Sequence, residues 1–204
     1  MQHMEVSAIV LAGGKSRRLG KSKALVTLHG KTLIERVIER LTPLTSQLLI
    51  VTSPEQTGLL ATDEAEVLVD LYPSRGSLVG IYTGLMAARY SHSIVVACDM
   101  PFLNTELLRY LIELSQDFDA VVPRLGEEWI EPLHAIYARS CLDSINRQLE
   151  RNQLQVNSCL DSVRVRYVER AECQRLDPQL LSFFNVNYPE DLDRAISLAA
   201  EEER

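Results

Sequence analysis

Val6-Ser7-Ala8-Ile9-Val10-Leu11, running into Ala12-Gly13-Gly14-Lys15-Ser16-Arg17-Arg18-Leu19-Gly20-Lys21-Ser22-Lys23, decides the reading of this chain. The first six residues are apolar with one serine between them. Such a continuous run is the mark of a strand covered on both faces, as in a parallel sheet. The next twelve hold three glycines and five cations, all five falling between Lys15 and Lys23. A glycine-rich turn lets backbone N–H groups approach phosphate oxygens. In open α/β sheets, ligands bind outside the carboxyl ends of the strands, which is where this loop falls. It is not a Walker A loop: Gly14-Lys15-Ser16 supplies the final G-K-S, but Ile9 stands where the first glycine belongs. The G-x-G-x-x-G register is broken as well.

Further along, short apolar runs alternate with helical periods. Residues 47–52 (QLLIVT), 66–70 (EVLVD) and 93–98 (SIVVAC) read as strands, and another begins at 120. Leu33, Ile34, Val37, Ile38 and Leu41 mark one apolar face of a helix over 32–41. Ser77 is expected to cap a helix to about Tyr90, and Asn104 or Thr105 one to about Ser115. The pattern loosens after 124. Strands are expected at 133–138, 163–168 and 183–186, and a helix at 140–150. Asn187 with Glu190 resembles a capping box opening a terminal helix over 191–200. The alternation predicts a single three-layer α/β/α domain over 1–204 with a mostly parallel, doubly wound sheet. The regular alternation spans residues 6–123, and 124–204 form a looser second half.

Charge sharpens this. The 204-residue chain carries a net −7, with 46% apolar and 6% aromatic residues, ordinary values for a globular protein. Residues 1–40 hold eight Lys/Arg against three acids, a balance of +5. Residues 41–204 hold 13 arginines against 25 acids, a balance of −12. All four lysines lie between Lys15 and Lys31. An acidic chain with one basic island suits a small anionic ligand, not nucleic acid or an anionic membrane. No apolar run is long enough to span a bilayer, and residues 1–12 lack the pattern of a signal peptide. Cys98, Cys141, Cys159 and Cys173 lack metal-site spacing and are expected to be reduced thiols in a cytoplasmic protein.

Two acids stand at strand ends, Asp70 after the third strand and Asp99 after the fourth. Magnesium takes hard oxygen ligands, usually one or two carboxylates plus substrate phosphates. A cationic loop and carboxylates on one sheet edge therefore suggest phosphoryl or nucleotidyl transfer, which needs positioning and charge stabilisation, not a covalent nucleophile. His134, within an apolar run, reads as a core or site-lining histidine in preference to a base. His29 and His92 fall in turns. Trp129 reads as an edge-packing aromatic or as part of a substrate loop. Arg164 and Arg166 alternate on a solvated strand face, and the final glutamates belong to a fraying terminus.

The stretch from Leu11 to Gly20 with Lys23-Ala24-Leu25 resembles the glycine-rich loop of GT-A-like nucleotidyltransferases, and most of all the molybdenum cofactor guanylyltransferase family. Three further stretches are similar to that family in the same order: Asp70 with Gly76-Ser77-Leu78-Val79-Gly80-Ile81, Cys98-Asp99-Met100-Pro101-Phe102, and Phe184-Asn185-Val186-Asn187-Tyr188-Pro189-Glu190-Asp191-Leu192. The resemblance implies transfer of GMP from GTP to a molybdopterin-type cofactor, with Mg²⁺ and release of pyrophosphate. It implies that Leu11, Ala12 and Gly13 line the guanine and ribose, that Gly14 also belongs to the nucleotide-binding loop, and that residues 6–123 are the nucleotide-binding half and 124–204 the acceptor side. Arg18 and Lys23 would meet the phosphates, aided by Lys15. Asp70 would contact the nucleoside, and Asp99 GTP and Mg²⁺. Lys23, Arg18 and Asp99 would be catalytic, while Asn185 and Asn187 would lie on the pterin side. Transient contacts with proteins that deliver or accept the cofactor follow from the same resemblance. Ser22 departs from the family's usual aspartate, Leu19 from its methionine and Ser77 from its proline. Thr52-Ser53-Pro54 departs from an asparagine-bearing segment, so no base contact is carried over there. The alternatives are a cytidylyltransferase for the same cofactor, another small-molecule phosphate nucleotidyltransferase, or a non-catalytic nucleotide binder. Glycine at position 13, where the cytidylyl relatives carry alanine, favours the purine.

Overall fold

The described residues, 4–13, 22–71 and 76–202 of a computed structural model, contain nine strands in chain order. These are β1 (Ser7–Leu11), β2 (Thr27–Leu28), β3 (Lys31–Thr32), β4 (Gln47–Thr52), β5 (Glu66–Val69), β6 (His92–Ala97), β7 (Ala120–Arg124), β8 (His134–Ala138) and β9 (Val165–Glu169). The helices are α1 (Leu33–Leu41), α2 (Ser77–Ala87), α3 (Thr105–Leu114), α4 (Cys141–Glu150), α5 (Val156–Leu160), α6 (Arg170–Leu176) and α7 (Pro189–Glu202). Seven strands form one sheet in the order β5-β4-β1-β6-β8-β7-β9, and β2 pairs with β3 alone. Strand β1 pairs in parallel with β4 and β6, and β4 with β5. Strand β8 is antiparallel to both neighbours, whereas β7 and β9 are parallel to each other. One reversed strand among seven bears out the mostly parallel sheet.

The unbroken apolar runs follow from burial on both faces. Along β1, Ala8 and Val10 join a core beneath α1, α3 and α6. Ile9 turns the other way, into a core with residues of α2, α4 and α5. Helix α1 begins as its sequence suggests: the Thr32 hydroxyl accepts from Glu35 N, and the Glu35 carboxylate accepts from Thr32 N. Asn104 caps α3 by accepting from Leu107 N at 3.0 Å. A third cluster ties α7 to the β2–β3 hairpin through Leu28, Leu33, Ala195 and Ala199. No helix among the described residues is long and apolar enough to cross a membrane, and all four cysteines are buried and unbridged.

Several expectations are corrected. Residues 183–186 are not a strand: a 3-10 turn, Leu181–Phe183, leads into extended chain. Their apolar character reflects packing against the core, with a single sheet-like bond from Val186 N to Asp99 O at 2.9 Å. The cap of α2 is Gly76, not Ser77. Its φ of +91° lies in the left-handed region that glycine adopts without strain. At α7 the cap is also reassigned. The Asp191 carboxylate accepts from Asn187 N and Tyr188 N, both at 2.9 Å, which leaves the Asn187 side chain available elsewhere. Helix α2 ends at Ala87, short of Tyr90. The short helices α5 and α6 and the β2–β3 hairpin have no counterpart in the sequence reading.

Helix α2 lies close on β1 because two of its residues are glycine. A Cβ at Gly84 would stand 2.5 Å from Cγ2 of Ile9, and one at Gly80 3.0 Å from Cδ2 of Leu11. Ile9 is fully buried and has no room to yield. Gly84→Ala is therefore expected to destabilise the fold by about 1–3 kcal/mol, despite alanine's better helix propensity. Thermal or denaturant unfolding checks this, and an unchanged midpoint would refute the close packing.

Candidate functional site

The carboxyl ends of β1, β4, β5 and β6 are brought level by their register: Leu11 pairs with Val51 and Ala97, and Thr52 with Val69. The chain runs from β1 outward to β4 and β5, then returns to the other side of β1 as β6. That reversal opens a crevice at the strand ends. A cavity of about 380 Å³ occupies it. Leu11, Gly13, Lys23, Asp70, Asp99, Asn185 and Asn187 all line it, together with Val51, Gly76, Ser77, Gly80, Ala97, Cys98 and Leu133.

The floor is a three-way contact. Lys23 begins a 3-10 turn, and its Nζ donates to Asp99 Oδ2 at 2.9 Å and to Asn187 Oδ1. Asp99 is 8% exposed, so its charge needs this partner. The pieces come from three distant parts of the sequence and are locked by backbone bonds. Cys98 N donates to Leu11 O at 3.1 Å, Ala12 N to Val51 O at 2.8 Å, and Val186 N to Asp99 O. Asp191 fixes the turn that carries Asn187.

Asp70 stands at the opposite wall. Its backbone N–H donates to Thr52 O at 2.8 Å. The Thr83 hydroxyl, on α2, donates to Asp70 Oδ1 at 3.3 Å and accepts from Leu71 N at 3.2 Å. A second link joins the start of the Lys23 turn to β4, where Gln56 Oε1 accepts from Ser22 Oγ at 3.1 Å and from Thr52 Oγ1 at 3.5 Å. Thr83, Gln56 and Asp191 were not legible beforehand, since each acts on residues far away or across a turn. Leu133 was also missed as a lining residue. The antiparallel direction of β8, which brings it to this edge, is not encoded locally.

Eight of the eleven singled-out residues lie among the described ones, and seven of them meet around the cavity. Ala12 does not, because its side chain is buried in the core. Gly14, Lys15 and Arg18 lie outside the described residues. His134 is fully buried against Phe183, with ring centroids 4.8 Å apart, and burial lowers its pKa to about 4. It is a neutral core histidine, as the sequence suggested. Burial pushes the Cys98 thiol up, so it stays protonated at neutral pH. Among the described residues no three metal-ligating side chains converge. The cavity does offer the hard carboxylate oxygens of Asp99 and Asp70, which suit a cation completed by phosphate oxygens.

Fold and cavity together are those of an α/β nucleotidyltransferase. The sequence matches the MobA-like NTP transferase domain over residues 8–164. A molybdenum cofactor guanylyltransferase from Desulfosudis oleivorans is 38% identical over 192 residues, covering 93% of this chain and 94% of that protein. A probable molybdenum cofactor guanylyltransferase from Pelotomaculum thermopropionicum is 36% identical, covering 96% and 94%. The crystal structure of molybdopterin-guanine dinucleotide biosynthesis protein A from Archaeoglobus fulgidus superposes with a TM-score of 0.84 at 34% identity, covering 96% of this chain and all of that one. The chain belongs to the MobA-like NTP transferase family, among its molybdenum cofactor guanylyltransferases.

Proposed function

We propose that this chain transfers GMP from GTP to the terminal phosphate of a molybdopterin-type molybdenum cofactor. An acceptor phosphate oxygen forms a bond to the α-phosphorus of GTP, the α–β P–O bond breaks, and pyrophosphate leaves. The observation that carries this reading is Lys23 Nζ held between Asp99 and Asn187 on the cavity floor. A fixed ammonium is the group needed where charge grows on the transferring phosphate. Arg18, Lys15 and the Gly14 backbone add positive potential to the phosphates. Leu11 and Gly13 form the guanine and ribose wall, and Asp70, held by Thr83, meets the nucleoside. Asp99 would hold Mg²⁺ together with the phosphates. The ion, when bound, neutralises charge on the phosphate oxygens. Asn185 and Asn187 face the acceptor, and Asn187 also orients Lys23. Residues 6–123 thus serve the nucleotide and 124–204 the acceptor. The reaction takes place in the cytoplasm, with the cofactor passed to and from other proteins by transient contact.

Calorimetry with GTP, CTP and ATP in Mg²⁺ tests the base assignment. GTP is expected to bind tightest, and equal affinities would overturn it. A Cβ at Gly13 would come no closer than 3.8 Å to Ser53 N, so Gly13→Ala leaves the fold intact. It narrows the base wall by one methyl group. GTP affinity is expected to fall about 10–100-fold, with no loss of CTP binding.

A further inference from the structure

The turn between β7 and β8 stands at the same sheet edge as the cavity. Strand β7 runs in the direction of β6, because each is antiparallel to β8. Its last residue, Arg124, and the first of β8, His134, therefore both lie at the carboxyl edge. The turn is firmly held. Leu125 N donates to Trp129 O at 2.8 Å, Glu131 N to Pro123 O at 2.9 Å and His134 N to Glu131 O at 3.2 Å. Tyr137 Oη donates to Pro132 O at 2.9 Å. Leu133 then enters the cavity wall.

Two side chains of this turn have no role in the packing just described. Trp129 is 52% exposed. Its indole N–H donates to Glu131 Oε1 at 2.5 Å. Glu131 is half-buried, and burial raises its carboxyl pKa above the ordinary value. A carboxylate has about four acceptor sites, and the indole takes one. The turn therefore presents a flat aromatic face beside a partly desolvated acceptor with spare capacity. Such a pair suits a planar ring carrying two adjacent N–H donors. It does not suit a phosphate, which the carboxylate repels.

We propose that Trp129 and Glu131 seat the acceptor's 2-amino-4-oxo ring, the indole stacking on its face and the carboxylate pairing with its ring N–H and amino group. This rests on the acceptor being a pterin, as proposed above. Guanine carries the same donor edge. Its proposed contacts at Leu11, Gly13 and Asp70 stand at the ends of β1 and β5, whereas Glu131 lies beyond β6, next to β8. The turn therefore belongs to the acceptor and not to the nucleotide.

Trp129 is the only tryptophan, so its emission reports on this seat alone. In the full-length protein, 6-hydroxymethylpterin is expected to quench that emission, and GTP neither to quench it nor to compete. Glu131→Gln is expected to weaken pterin binding about tenfold, the loss of a charge-assisted pair. In turnover assays with the molybdopterin acceptor, Glu131→Gln and Trp129→Ala raise the acceptor KM by a similar factor. Trp129→Phe, which retains a stacking face, restores most of the loss. GTP affinity measured by calorimetry stays at the wild-type value. An unchanged acceptor KM in folded Glu131→Gln overturns the proposal, as does displacement of the pterin by GTP. Absence of GMP transfer by the wild-type protein, with pterin quenching intact, would instead overturn the proposed reaction and leave the ring seat standing.

Discussion

Lys23→Ala is expected to lower the turnover of GMP transfer by about 100- to 1000-fold, while GTP affinity changes only a few-fold. The asymmetry follows from geometry. In the resting protein Lys23 is already satisfied, by Asp99 Oδ2 at 2.9 Å and by Asn187 Oδ1. Moving its ammonium to a ground-state phosphate exchanges one anionic partner for another and gains little. Charge that builds up during transfer is new, and only a cation already in place stabilises it without reorganisation. Steady-state kinetics paired with calorimetry separates the two effects. Equal losses in turnover and affinity would reduce Lys23 to a simple binding group. The variant also leaves a buried carboxylate without its cation, so a lower melting temperature accompanies the kinetic loss.

Asp99→Asn is expected to cut turnover about 100-fold or more and to raise the Mg²⁺ concentration needed for half-maximal rate. The substitution keeps the side chain's size and leaves the backbone bond from Val186 untouched. Its effect therefore falls on charge. It removes an oxygen anion suited to a divalent cation, and it releases Lys23 to Asn187 alone. The double variant with Lys23→Ala should lose much less than the product of the two single losses, because the residues act as one unit. Fully multiplicative losses would separate their roles. Normal turnover by Asp99→Asn would refute the metal assignment.

The strands that carry this chemistry were legible because burial on both faces leaves an unmistakable apolar run, as in β1, β4 and β6. The residues just past them could be read by position alone, and Gly13, Asp70 and Asp99 are found where strand ends predict. Residues 183–186 misled because their apolar character comes from docking on the core, not from a sheet ladder. Asn187 misled in a related way. Its spacing to Glu190 suggested a helix cap, yet its side chain is drawn to Lys23, 164 positions earlier, and Asp191 caps instead. Contacts over such separations leave no periodic trace. Nor does strand direction, which is why Leu133 and Glu131 gained their place only from the reversed β8, whereas Trp129 was already open to reading as part of a substrate loop.

The missing side chains of Gly80 and Gly84 set more than a packing distance. Leu11 and Gly80 pack against each other at the cavity wall, and Thr83, which steadies Asp70, rides on the same helix. The aperture between β1 and α2 is thus gauged by an absent carbon atom. A bulkier residue at position 80 would lift the helix, widen the nucleotide slot and carry Thr83 away from Asp70 in one movement. Width of slot and aim of carboxylate are a single adjustable quantity in this protein, and drift at one glycine would detune both at once.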